Sequence, residues 1–149
     1  MATRALILKT DASGSIITNF LFHGKYEEVI AFLTQINTTE RIDWLISGGD
    51  IDYTMDNAYP SVQTNRDQLE HLWVDRSQAP IYPKVYPSLE DLIKILQKDK
   101  VPDIELIYIL SEKEIIVYEV DWGSFGNNNV IEYKRSYLKS IFHTTHKSQ

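Results

Sequence analysis

The chain has 149 residues, 43% of them hydrophobic and 24% charged, with a formal net charge of −6. This length and balance exclude a disordered polymer and predict a single globular domain over 1–149 rather than two undersized cores. No cysteine is present, which excludes a disulfide framework, a thiolate metal centre and a thiol nucleophile.

Nine Tyr, five Phe and three Trp supply large apolar surfaces for a core. The first residues lack the apolar stretch and cleavage site of a secretory signal. No segment approaches the roughly 20 apolar residues needed to span a bilayer, so a cytoplasmic protein is expected.

In chain order, the apolar runs 5–8 and 16–22 flank the turn-rich residues 11–15, which predicts a β-hairpin. After Gly24, apolar residues at Tyr26, Val29, Ile30, Leu33 and Ile36 mark one helix face, with Glu27 and Glu28 in its first turn. Thr38 or Thr39 is placed to cap a second short helix through Trp44 and Ile46, ended by Gly48 and Gly49. Periodicity is lost over 50–63, which reads as a loop. Leu69, Leu72 and Trp73 then fall at helical spacing within 66–74. The proline-rich residues 79–87 read as an extended connector, because proline breaks helix interiors and central strands.

Ser88 opens the clearest helix, with Leu89, Leu92, Ile93 and Leu96 as its buried stripe and Pro102 beyond its end. Residues 105–110 and 114–121 are β-rich and separated by Ser111, Glu112 and Lys113, which predicts a second hairpin. Residues 123–129 read as a loop. From Val130 the chain starts strand-like and turns helical through Tyr137, Leu138, Ile141 and Phe142, with a frayed tail from about residue 143. Two hairpins separated by helices predict an α+β fold: an antiparallel or mixed sheet with helices packed on one side. There is no strand–helix alternation or glycine-rich first turn of a doubly wound nucleotide fold.

Charge is distributed unevenly. Residues 43–75 contain seven acids (Asp43, Asp50, Asp52, Asp56, Asp67, Glu70, Asp75) and one base, Arg66, so this segment carries −6 while the remaining 14 acids and 14 bases balance. After Glu132 the chain holds four bases and no acid. Trp44, Tyr53, Tyr59 and Trp73 are interspersed among those acids. Acids beside aromatic anchors suit a surface for a basic protein partner and repel nucleic-acid backbone. The candidate partner-binding residues are Asp43, Trp44, Asp50, Asp52, Tyr53, Asp56, Tyr59, Asp67 and Glu70. The bland alternative is a solvated acidic face with its aromatics in the core.

Catalytic signatures are weak. Asp50, Asp52 and Asp56 alternate as in sites for hard cations. As a helix-loop-helix calcium loop they fail, because Met55 occupies the glycine position and Ser61 that of the bidentate glutamate. Neighbouring Glu70 and His71 would point about 100° apart on a helix, and His143 and His146 lie in the tail. No serine sits in a hydrolase elbow, and 123–126 falls short of a phosphate-binding loop. The spacing of Pro80 and Pro83 matches an adaptor ligand but serves equally as a rigid path.

The sequence therefore leads to a cofactor-free, non-enzymatic binding protein that inhibits or regulates a basic partner such as a nuclease toxin, in the manner of immunity proteins or phage inhibitors. Its rivals are a small metal-dependent hydrolase using Asp50, Asp52 and Asp56, and a subunit of a larger assembly.

Overall fold

The computed structural model describes residues 3–55, 65–77, 81, 83–99, 104–121 and 132–135. Strands β1 (Arg4–Thr10) and β2 (Ile16–Leu21) form the first hairpin, with Ala5 opposite Leu21 and Thr10 opposite Ile16. Its turn is closed by the Asp11 carboxylate, which accepts from the Ser13 and Ser15 amides, and by Gly14 at φ +90°.

Helix α1 (Tyr26–Leu33) follows, then α2 (Thr39–Ser47), whose N-cap Thr38 accepts from the Arg41 amide at 3.1 Å. The Glu112 carboxylate also accepts from the Thr39 amide and hydroxyl, both at 2.8 Å, fastening that helix end to a distant turn.

The rest of the sheet comprises β3 (Ile51–Thr54), β4 (Arg66–Leu69), β5 (Leu72–Arg76), β6 (Lys84–Tyr86), β7 (Ile104–Leu110), β8 (Ile115–Asp121) and β9 (Glu132–Arg135). Helix α3 (Leu89–Asp99) lies between β6 and β7 in the chain. Strand order is β4-β5-β3-β2-β1-β7-β8-β9, with β6 joined to β2 off that path. The β1/β7 and β2/β3 pairings are parallel and the others antiparallel. This is the mixed α+β sheet that the sequence predicts, with both expected hairpins present.

Strand alternation assigns the two cores. Ala5 and Ile7 of β1 join Val29, Phe32, Leu45 and Ile46 of α1 and α2. Leu6 and Leu8, facing the other way, join Leu92 and Leu96 of α3. The expectation of helices on one side is therefore corrected for α3, which covers the opposite face. The cause lies in β1 itself: its run of consecutive apolar residues leaves both faces in need of cover.

Two local expectations also change. The segment 66–74 forms strands β4 and β5 rather than a helix, with Leu69 opposite Leu72 and Glu70 in the turn at φ +57°. Leu72 and Val74 alternate into the core, a period of two that the helical spacing of Leu69, Leu72 and Trp73 masked. Residues 51–54, expected as loop, form β3 between β2 and β5. Within the proline-rich connector, 84–86 form β6. The expected loop at 123–129, the C-terminal helix and tail, and Pro80 and Pro102 lie outside the described residues.

Candidate functional site

The acids of residues 43–75 divide by the sheet face they occupy. On the face under α1 and α2 they are used internally. Asp43 pairs with Lys9. Glu70 accepts from Arg41 Nε at 3.0 Å and Nη2 at 3.3 Å, and these bonds hold its carboxyl below the usual range. Together with the 2.8 Å contact of His71 Nε2 to Gln35 Oε1, that pair fastens the β4–β5 tip beneath the α1–α2 connection.

Asp67 accepts from Nε and Nη2 of Arg76 at 3.1 and 2.9 Å. The buried Arg76 guanidinium also donates to the carbonyls of Trp44 (2.8 Å), Leu45 (2.7 Å) and Gly49 (3.0 Å). The Trp44 and Leu45 carbonyls belong to the last turn that the C-terminus of α2 leaves open, and Gly49 lies just beyond it, so Arg76 caps that helix from the sheet. A Cβ on Gly48 would collide with this guanidinium, which accounts for the glycine. Trp44 is half-buried against the core, its ring 5.5 Å from the Arg76 Cζ, and is no exposed anchor. Asp50 is buried too, just ahead of β3.

The opposite face of the β3–β5–β4 wing has another character. Tyr53 and Arg66 both stand opposite Asp75 in register, so the three side chains share that face, and Trp73, two residues along β5, joins them. His23 stacks on Tyr53 with centroids 4.3 Å apart, and the Arg66 guanidinium lies 4.1 Å from the Trp73 centroid. Between these aromatic pairs Asp75 is only 3% exposed, and neither of its carboxylate oxygens has a hydrogen-bond partner.

Burial pushes the Asp75 carboxyl above its usual range, against the pull of Arg66. The Asp52 carboxyl is raised likewise by burial, lowered by His23 and raised again by the negative charge of Asp75. Two carboxyls thus lie within electrostatic reach of each other on a face lined by rings. Asp52 occupies the irregular position where β3 and β5 shift register, and a bulge of this kind re-aims a side chain.

Of the residues nominated from sequence, Asp52 and Tyr53 are brought together here. Asp43, Asp67 and Glu70 are bound elsewhere, and Asp56 and Tyr59 lie outside the described residues. Asp75, Trp73 and His23 were not nominated. The alternation of 72–76 is the signal that finds the first two, whereas nothing local announces that His23 meets Tyr53. Among the described residues no group of three or more His, Asp or Glu is placed to hold a metal ion, and none of the described helices is long and apolar enough to cross a membrane. In comparisons with protein-family models, with curated proteins and with solved structures, the chain has no match in any of the three.

Proposed function

We propose that the protein is a binding domain that engages a basic protein partner, as an inhibitor or regulator, through the wing face carrying Asp52, Tyr53, Trp73 and Asp75. The reading includes a cytoplasmic setting, which a cysteine-free chain suits. It rests above all on Asp75: a buried carboxyl with two unpartnered oxygens is costly to keep, and a positively charged group offers what it lacks. A partner's guanidinium suits best once the side chains over Asp75 part to admit it, since its planar fork matches both oxygens and its faces stack on Trp73 or Tyr53. Arg66 foreshadows that pose from within the chain, resting on Trp73 without hydrogen-bonding Asp75.

The test separates this face from net charge. Asp52→Asn/Asp75→Asn and Glu90→Gln/Glu105→Gln each remove two negative charges, the second pair from exposed positions elsewhere. Titrated with a labelled hexa-arginine peptide, the first variant is expected to lose about tenfold or more in affinity and the second much less. Equal losses would show diffuse attraction and end the proposal.

A further inference from the structure

A separate cavity lies on the α3 side, where the far edge of β2 is shared between two strands. β6 pairs with Ile16, Ile17 and Thr18, and β3 pairs with Leu21. Between them Phe20 N–H donates to the Asp50 carboxylate at 3.2 Å and to Asn19 Oδ1 at 3.1 Å instead of to a strand. Asp50 therefore plugs a seam in the sheet, and the space beside it is a cavity of about 130 Å³. An apolar cavity of about 150 Å³ holds benzene, so the volume admits a hydrocarbon group of four to six carbons.

Its walls are Leu6, Phe20, Tyr86, Leu92 and Leu96, and Ile81 and Ile95 stand beside them 57% and 37% exposed. Three polar groups border this apolar space and remain available. Asp50, 4% exposed, offers carboxylate lone pairs beyond those its backbone donors use. Thr18, 6% exposed, has a hydroxyl without a hydrogen-bond partner. Lys84 is exposed and lines the cavity, with its positive charge within electrostatic reach of Asp50. Asn19 is already engaged, donating to the Ile46 carbonyl at 2.9 Å.

An acid set deep, an exposed base and an aliphatic wall between them match one common class of small molecule. We propose that the cavity is a second binding site, taking a free α-amino acid with an aliphatic side chain. The ammonium bonds to Asp50 and Thr18, the carboxylate meets Lys84, and the side chain lies against Leu6, Leu92 and Leu96. A simple amine leaves Lys84 unused and places two cations side by side. A simple fatty acid can meet Lys84 but brings no donor to Asp50 and Thr18.

The experiment is a nitrogen–proton correlation NMR titration of the full chain with L-leucine, 3-methylbutylamine and 4-methylpentanoate, the last two being leucine without its carboxylate and without its ammonium. Leucine is expected to give saturable shifts at Thr18, Phe20, Asp50 and Lys84, with each analogue about tenfold weaker or worse. Because Asp50 replaces a strand partner and its substitution risks unfolding, the informative variant is Lys84→Met at an exposed site. It should reduce leucine to the affinity of 3-methylbutylamine while leaving that amine's own binding intact or improved. No shifts with leucine up to about 10 mM, an amine binding as tightly as leucine, or a leucine affinity indifferent to Lys84→Met would each overturn the proposal. The wing face is not involved, so either reading stands or falls without the other.

Discussion

The centre of the sheet and its β3–β5–β4 wing treat their two faces differently. In the centre both faces are apolar, with Ile7 and Tyr108 turned toward α1 and α2 and Leu6, Leu8 and Ile107 toward α3. The polar side chains of that inner row are satisfied: Tyr108 donates to the Gly24 carbonyl at 2.7 Å, and Asn19, opposite Ile7, donates to the Ile46 carbonyl at 2.9 Å. In the wing one face holds Leu72 and Val74 with Arg76, while the other presents Tyr53, Trp73, Asp75 and Arg66. The contrast teaches that negative charge in a segment has no single meaning. Acids under the helices neutralise cations from other elements and fix the fold, whereas Asp75 on the far face is buried with no hydrogen bond and only the pull of Arg66 to offset that cost.

The largest test of that contrast is Arg76→Met. It leaves three carbonyls and Asp67 without their donor, and the expected loss in urea unfolding is roughly 3–5 kcal/mol, chiefly from the stranded carbonyls because Asp67 is partly exposed. Adding Asp67→Leu should return part of it, since an apolar pair avoids the stranded charge. A small loss from Arg76→Met alone would mean that α2 needs no cap from the sheet.

Asp75→Asn tests the other face, with the opposite sign. A carboxyl raised by burial holds its proton more tightly folded than unfolded, so its destabilising effect is complete above its folded value and disappears on acidification. The Asn variant should therefore melt higher at neutral pH, by about 2–4 °C for each kcal/mol recovered in a chain of this size. The two proteins should converge as pH falls toward the ordinary carboxylate range. A variant that melts lower at neutral pH would show that Asp75 supports the fold.

The smallest effect belongs to Glu70→Gln. Its pair with Arg41 is exposed, and such pairs add little. The urea midpoint should not move measurably, and a clear drop would place this pair with Arg76 rather than at the surface.

Much of the fold is legible locally. Thr38 and the apolar stripe behind it announce α2, Ser88 and the spacing of Leu89, Leu92 and Leu96 announce α3, and the turn at Asp11 and Gly14 announces the first hairpin. The β4–β5 hairpin is not legible, because Glu70 and His71 lack the glycine or asparagine that marks a tight turn. The charge imbalance is visible in composition, but its consequences are not. Lys9 and Asp43 are 34 residues apart, and Arg41 and Glu70 are 29 apart.

By itself the sequence determined the class of fold, the helices and hairpins with local punctuation, and the net negative charge of residues 43–75. Those follow from periodicity and capping, which act over a few residues. Only the tertiary structure decided that α3 crosses to the second face, that Arg76 closes α2, and that Asp75 is left without a partner. Each depends on strand register between distant segments, and a shift of one residue would exchange the two faces of the wing.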